Sequence, residues 1–176
     1  ITGTMICTER MEKVILPHIL TGETKTAGQW LDRVYWQNRN NGFNAESAYE
    51  YGRFEFLIYD ILAKMDGKPL HRYLGAEKDS LAAYGSGCGT NLTDCQMVQE
   101  LEDFLKAGYK TVKMKIASNF GADLDNDIRR IALARKTIGD SIGLAIDGNQ
   151  YFKPETALEF IKRANEYNIE WYEEPV

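Results

Sequence analysis

Apolar residues recur mostly at helical spacing along the first 75 positions. From about Ala83 onward, short apolar runs instead alternate with amphipathic helical stretches. Ile1–Thr8 reads as a short β-like run containing Gly3. Glu9–Leu20 carries Met11, Val14 and Ile15, with a Pro17 that disturbs any helix there. Asn44 can cap a longer helix reaching about Met65, with Ala48, Tyr51, Leu57, Ile58, Ile61 and Leu62 as its apolar stripe. Asp66-Gly67 and Pro69 end that helix, and a helical turn at His71–Leu74 stops at Gly75.

The second half reads as strand, helix, strand. A strand near Leu81–Ser86 runs into Gly85-Ser86-Gly87-Cys88-Gly89, and Thr93 with Gln96 forms a capping box that opens a helix ending at Gly108. Lys110–Ile116 is the next strand. Leu124–Ile138 is a helix with Ile128, Ile131 and Ala134 or Arg135 at helical spacing, closed by Gly139, and Ile142–Asp147 is a third strand. Pro154 starts a helix expected to turn Leu158, Ile161 and Ala164 inward, and Ile169–Glu173 is a fourth strand. Four consecutive βα-type strands fit either a doubly wound sheet or part of a (β/α)₈ barrel. Periodicity does not choose between them.

Composition narrows the function classes. The 176 residues are 44% hydrophobic and 27% charged, with a net charge of −5, an ordinary globular balance. There is no Lys/Arg-rich run to grip nucleic acid, no apolar stretch of membrane-spanning length and no signal-peptide pattern at the N-terminus. No nucleic-acid or membrane partner is expected, and the location expected is cytoplasmic. Cys7, Cys88 and Cys95 form no CxxC pair and read as plain thiols, and His18 and His71 are isolated. Asn91-Leu92-Thr93 matches a glycosylation acceptor but reads as incidental without a secretory signal. The glycine run after Tyr84 lacks the Gly-Lys-Ser/Thr ending of a phosphate loop and reads as a strand-end turn.

The strand polar residues carry the chemistry. In Thr-Val-Lys-Met-Lys-Ile, alternation puts Lys113 and Lys115 on one face and Val112, Met114 and Ile116 on the other. Asp147 ends the next strand 32 residues after Lys115, and Glu173 and Glu174 end the strand after that, Glu173 lying 26 residues past Asp147. Three successive parallel strands thus deliver Lys, Asp and Glu to one end, where active sites lie in a barrel. Carboxylates converging without Cys or His suit a hard cation such as Mg²⁺. Such an ion can bind a substrate carboxylate and stabilise the enediolate left when the α-proton departs. A lysine can take that proton if its pKa is lowered, which a neighbouring ammonium favours.

At these residues the chain resembles the mandelate racemase/muconate lactonizing enzyme family of the enolase superfamily, whose Lys or His base and Mg²⁺ are a described pattern. The resemblance implies an α/β fold, a partial (β/α)₈ barrel in residues 81–176, preceded by the later, mainly helical part of an α+β capping domain in residues 1–80. It implies that Lys115 is the base, that Lys113 polarises the substrate carboxylate, and that Asp147 and Glu173 are the first two Mg²⁺ ligands. Asn149 would be a neighbouring polar group that meets substrate, and Glu174 would support the ligands from behind. Glu173-Glu174-Pro175, rather than Glu-Gln-Pro, is similar to the mandelate racemases and acid-sugar dehydratases. Asp127-Ile-Arg-Arg-Ile-Ala-Leu-Ala-Arg135, followed by Asp147-Gly-Asn-Gln150, looks most like the sugar-acid dehydratases.

The family pattern also requires a third carboxylate on a fifth strand, a second acid/base group such as a His–Asp pair, and the opening capping-domain strands. None of these is among the 176 residues, so they are expected to be a piece of a longer polypeptide and inactive alone. The expected parent is a Mg²⁺-dependent lyase acting on a small carboxylate, a sugar acid foremost, and a homo-oligomer. The alternatives are a racemase or epimerase of a 2-hydroxy acid and, from another class, a non-catalytic module that keeps the barrel motif.

Overall fold

The structure is a computed structural model that describes residues 9, 11–23, 25–41 and 45–176. The β-like run expected at Ile1–Thr8, Cys7 and the cap at Asn44 lie outside the described residues. The chain divides into two compact units, Ile1–Asp79 and Ser80–Val176.

The first unit is helical among the described residues. A wide turn at Met11–Ile15 tightens into a 3₁₀ turn at Leu16–His18, with Pro17 in its first turn, where a missing N–H is tolerated. Helix α1 spans Ala27–Asn38, α2 Ala45–Met65 and the short α3 Leu70–Tyr73. The sequence pattern predicts no element over α1. Its signal was present as a capping box, in which Gln29 N–H donates to the Thr26 hydroxyl and Thr26 N–H donates to the Gln29 amide oxygen. Met11, Ile15, Trp30, Leu31, Val34 and Phe54 form the core of this unit. The stripe expected on α2 is therefore displaced. Phe54 and Ala63 are buried, whereas Leu57 and Ile61 are exposed, because the large Phe54 ring, rather than the aliphatic pair, meets Trp30 and Val34 in that core.

The second unit is a parallel sheet in the order β1-β2-β3-β4, formed by Gly85–Gly87, Thr111–Lys115, Gly143–Asp147 and Ile169–Glu173. Helices α4 (Asp94–Lys106), α5 (Leu124–Ile138) and α6 (Pro154–Ala164) connect the strands. Val112, Met114, Leu144 and Ile146 are fully buried and pack with Met97, Leu101, Ile131, Ala134 and Phe160 into one core between sheet and helices. The opposite face carries Lys113, Lys115, Ala145 and Asp147.

Two local features depart from the expectations. The first strand lies in the glycines themselves rather than at Leu81–Ser86, and Leu81 is exposed. A Cβ on Gly85 would fall 2.6 Å from the Phe104 ring, and one on Gly87 2.5 Å from the Glu100 carboxylate, so β1 lacks side chains where α4 presses against it. On α6 the buried positions are Ala157, Phe160 and Ala164, and Leu158 is exposed. Phe160 packs its ring against Phe152 at 5.1 Å, and burying that larger side chain sets the helix rotation.

β4 carries a bulge. Leu144 pairs with Ile169 but Ala145 pairs with Trp171, so Glu170 is an extra residue. Its carboxylate accepts a hydrogen bond from the Thr111 hydroxyl at 3.0 Å, passing over Gly143, where any Cβ would collide with it.

Candidate active site

The three parallel strand ends lie in register, with Lys115 beside Asp147 and Asp147 beside Glu173. Strand alternation turns all three to the face opposite the helices, one step beyond Lys113. Lys113 is only 6% exposed and Asp147 1% exposed. Burying such charges is costly unless they pair, and they do.

The Lys113 ammonium lies 2.6 Å from Glu173 Oε1 and 3.2 Å from Asp147 Oδ2. The Lys115 ammonium lies 2.5 Å from the same Asp147 Oδ2 and donates to Asn149 Oδ1 at 2.8 Å. The other Asp147 oxygen accepts the Asn149 backbone N–H at 3.0 Å. Burial opposes the charge of Lys113, but its hydrogen bonds to Glu173 and Asp147, with their charges, outweigh burial and raise its pKa above the ordinary lysine value. Burial likewise pushes Asp147 upward, but the Lys115 hydrogen bond, the Asn149 amide and Lys113 hold it below the usual carboxylate range.

Glu174 stands behind this cluster. It accepts hydrogen bonds from Asn149 Nδ2 at 3.4 Å and Gln150 Nε2 at 3.2 Å. Asn149, Gln150 and Glu174 all adopt positive φ, a backbone state that costs on the order of 1 kcal/mol or more per non-glycine residue. Gln150 N–H donates to the Glu174 carbonyl and Gly148 N–H to that of Glu173, so the loop after β3 is tied to the end of β4. All six residues singled out from the sequence therefore meet in one hydrogen-bonded group.

Two aromatic neighbours were missed. Tyr84 and Trp171 meet edge-to-face at 5.2 Å, with the small Ala145 of β3 paired beside Trp171, and the Lys113 ammonium lies 5.4 Å from the Tyr84 ring. Trp171 also donates its indole N–H to Glu173 Oε2 at 3.2 Å. The signal for Trp171 was its place two residues before Glu173, on the same strand face. Cys88 is buried, and burial with the nearby Glu100 charge pushes its thiol up to about 12, far from a nucleophile's range. Cys95 is exposed and unpaired.

Among the described residues, no group of three or more His, Cys, Asp and Glu side chains is placed to hold a metal ion. The donor set offered is the Asp147–Glu173 pair. It consists of oxygen alone, comes from adjacent strand ends, and already brackets one cation, the Lys113 ammonium, which suits a hard cation completing its shell with other oxygens. Among the described residues, no helix is long and apolar enough to cross a membrane.

The profile of a family described as Enolase C-terminal domain-like matches residues 96–176. An arabinonate dehydratase from Saccharolobus solfataricus is 26% identical over 168 residues, covering 94% of this chain and 44% of the relative. A D-Ala-D/L-Ala epimerase from Cytophaga hutchinsonii is 33% identical over 123 residues, covering 70% of this chain and 32% of the relative. A crystal structure of an enolase from Bradyrhizobium complexed with magnesium and mandelic acid superposes with a TM-score of 0.79 at 26% identity, covering 89% of this chain and 42% of that one. The chain thus spans less than half the length of these proteins.

Proposed function

Because the chain belongs to the enolase superfamily, in its mandelate racemase/muconate lactonizing branch, with its sheet forming part of a (β/α)₈ barrel, we propose that the whole protein removes the proton α to a carboxylate and thereby dehydrates a sugar acid. The observation that carries this reading is the Lys113–Lys115–Asp147–Glu173 group at one end of three successive strands. The identity to an arabinonate dehydratase along 94% of the chain supports the sugar-acid choice.

In this reading Lys113, whose pKa is held high, stays charged and draws the substrate carboxylate toward the site. Lys115, held by Asn149 Oδ1 at its Nζ, accepts the α-proton, and the C–H electron pair passes into the carboxylate. The β-hydroxyl then leaves as water, taking a proton from an acid outside the described residues, and the resulting enol converts to a 2-keto acid. Asp147 and Glu173 would hold Mg²⁺, which supplies positive charge against the carboxylate as electron density builds there. Trp171 keeps Glu173 Oε2 oriented, and Glu174 keeps Asn149 in place.

A second reading has its own support. The epimerase relative, at 33%, is more identical though over a shorter stretch, and in this reading the same four residues remove the proton while an acid outside the described residues returns one on the opposite face. Incubating the full-length protein with Mg²⁺ and a panel of sugar acids and dipeptides in D₂O separates the two readings. Loss of water with 2-keto acid formation is the expected result, and deuterium at the α-carbon without water loss marks the epimerase. Lys115→Ala should lower turnover by about 10³-fold, within the range of a general base. Unchanged turnover would remove Lys115 from the role. Failure of the full-length protein to bind Mg²⁺, even with a carboxylate ligand present, would favour a non-catalytic module.

A further inference from the structure

Asp127 and Arg130 are fully buried charged residues on α5, outside the group described above, at 0% and 2% exposure. They do not pair with each other. Each reaches instead to a loop at the C-terminal end of the sheet. The Arg130 guanidinium donates to the carbonyls of Cys88 at 3.0 Å, Gly89 at 2.9 Å and Leu92 at 3.1 Å, all in the loop after β1. The Asp127 carboxylate accepts the backbone N–H groups of Ala117 and Ser118, each at 3.0 Å, and the Ser118 hydroxyl at 2.6 Å, in the loop after β2.

Both loops border Lys115. Its own N–H donates to the Cys88 carbonyl at 3.4 Å, the same oxygen that Arg130 holds. The Cys88 N–H is in turn gripped by Glu100 at 2.6 Å, so both polar groups of that residue, itself at φ 54°, are clamped from the helices. Two residues after Lys115, Ala117 sits at φ 67° and Asp127 takes its amide. The backbone bonded to Lys115 and the backbone that follows it are thus both fastened to α5, with Glu100 of α4 holding Cys88 as well. The Lys115 ammonium reaches Asp147 and Asn149 on the far side.

We infer that Asp127 and Arg130 are positioning residues for Lys115: they set the backbone from which its ammonium is aimed, although neither touches it. The inference rests on the base role proposed for Lys115. Misplacement of a reacting group by about 1 Å can cost on the order of 10²-fold in rate, so anchorage of this kind is a lever on catalysis.

The test is residue-resolved acetylation of the full-length protein by sulfo-N-hydroxysuccinimide acetate, read by mass spectrometry as Lys115 against the exposed Lys162. Arg130→Met should raise that ratio about fivefold, the effect of weakening roughly one charge-assisted hydrogen bond at the ammonium, and Arg130→Lys should give a smaller rise in the same direction. Ile131→Val, a methylene deletion in the adjoining core, controls for lost stability and should leave the ratio unchanged. An Arg130→Met ratio equal to that of Ile131→Val would overturn the inference. Should Arg130→Met not fold, an Arg130→Lys ratio equal to wild type would overturn it. Labelling needs no substrate, so a protein inactive on every acid would sink the proposed function without deciding this result. If an active acid is found, Arg130→Lys should lower kcat with KM little changed.

Discussion

Lys113→Met offers the most direct test of the charged group at the strand ends. The substitution keeps the apolar stem and removes an ammonium that bridges Asp147 and Glu173 at 3.2 and 2.6 Å. Breaking a buried ion pair from one side typically costs about 3–5 kcal/mol, because the partner is left uncompensated. Here Asp147 keeps Lys115, and Glu173 is about a third exposed and keeps the Trp171 indole, so the low end, about 3 kcal/mol, is expected. With a urea slope of about 3 kcal/mol per molar for a protein of this size class or larger, the midpoint should fall by about 1 M. The assay is urea unfolding of the full-length protein, with Glu173→Gln and the double variant completing a cycle. Coupling between the two positions should exceed about 1 kcal/mol. The pH dependence has a definite sign. The pKa of Lys113 is raised in the folded state, so its contribution is complete below the unfolded lysine value of about 10.4 and is lost as pH rises through the folded value. The gap between wild type and Lys113→Met should therefore be constant from neutral pH to about 10 and close above it. An unchanged midpoint, or coupling below about 0.3 kcal/mol, would refute the view that these charges are bound to one another.

Three further outcomes are expected. Asp147→Asn should weaken Mg²⁺ binding by at least about tenfold in calorimetric titration. Because Asp147 sits below the usual carboxylate range, it should also remove a stability increment that is present above about pH 4 and lost as pH falls through the folded pKa, seen as a flatter acid limb in thermal melts. Phe160→Ala should cost about 3–5 kcal/mol in chemical unfolding, whereas Leu158→Ala should stay within about 0.5 kcal/mol. Equal losses would contradict the helix rotation described here.

The site was more legible in the sequence than the helices packed behind its strands. Lys113, Lys115, Asp147 and Glu173 could be grouped because a two-residue period puts strand side chains on known faces and parallel strands share one end. Both rules are local and rigid. Helix faces are softer. A 100° step lets either Leu158 or Phe160 claim the buried side of α6, and only the Phe152 ring across the interface decides. The first strand was misplaced for the opposite reason. Glycine is a poor strand former by propensity, yet Gly85 and Gly87 of β1 are glycine because Phe104 and Glu100 leave no room for anything larger. Arg130 escaped notice since a charged residue within a helix stripe reads as surface, and its three carbonyl partners lie 38 to 42 residues away.

The bulge in β4 bears on how the charged group comes to exist. Ile169 leans with Leu144 toward the helices, and were Glu170 paired with Ala145 instead of bulged out, each later side chain of β4 would take the opposite parity. Tyr172, not Glu173, would then stand beside Asp147, offering a phenol to a position that now holds a carboxylate. The composition of the strand end is thus settled by a count made three residues upstream, where Thr111 and the bare Gly143 hold the odd residue in place. Drawing Glu170 into the ladder would rewrite the chemistry of the far end with no residue changed, whereas deleting it would leave Glu173 beside Asp147.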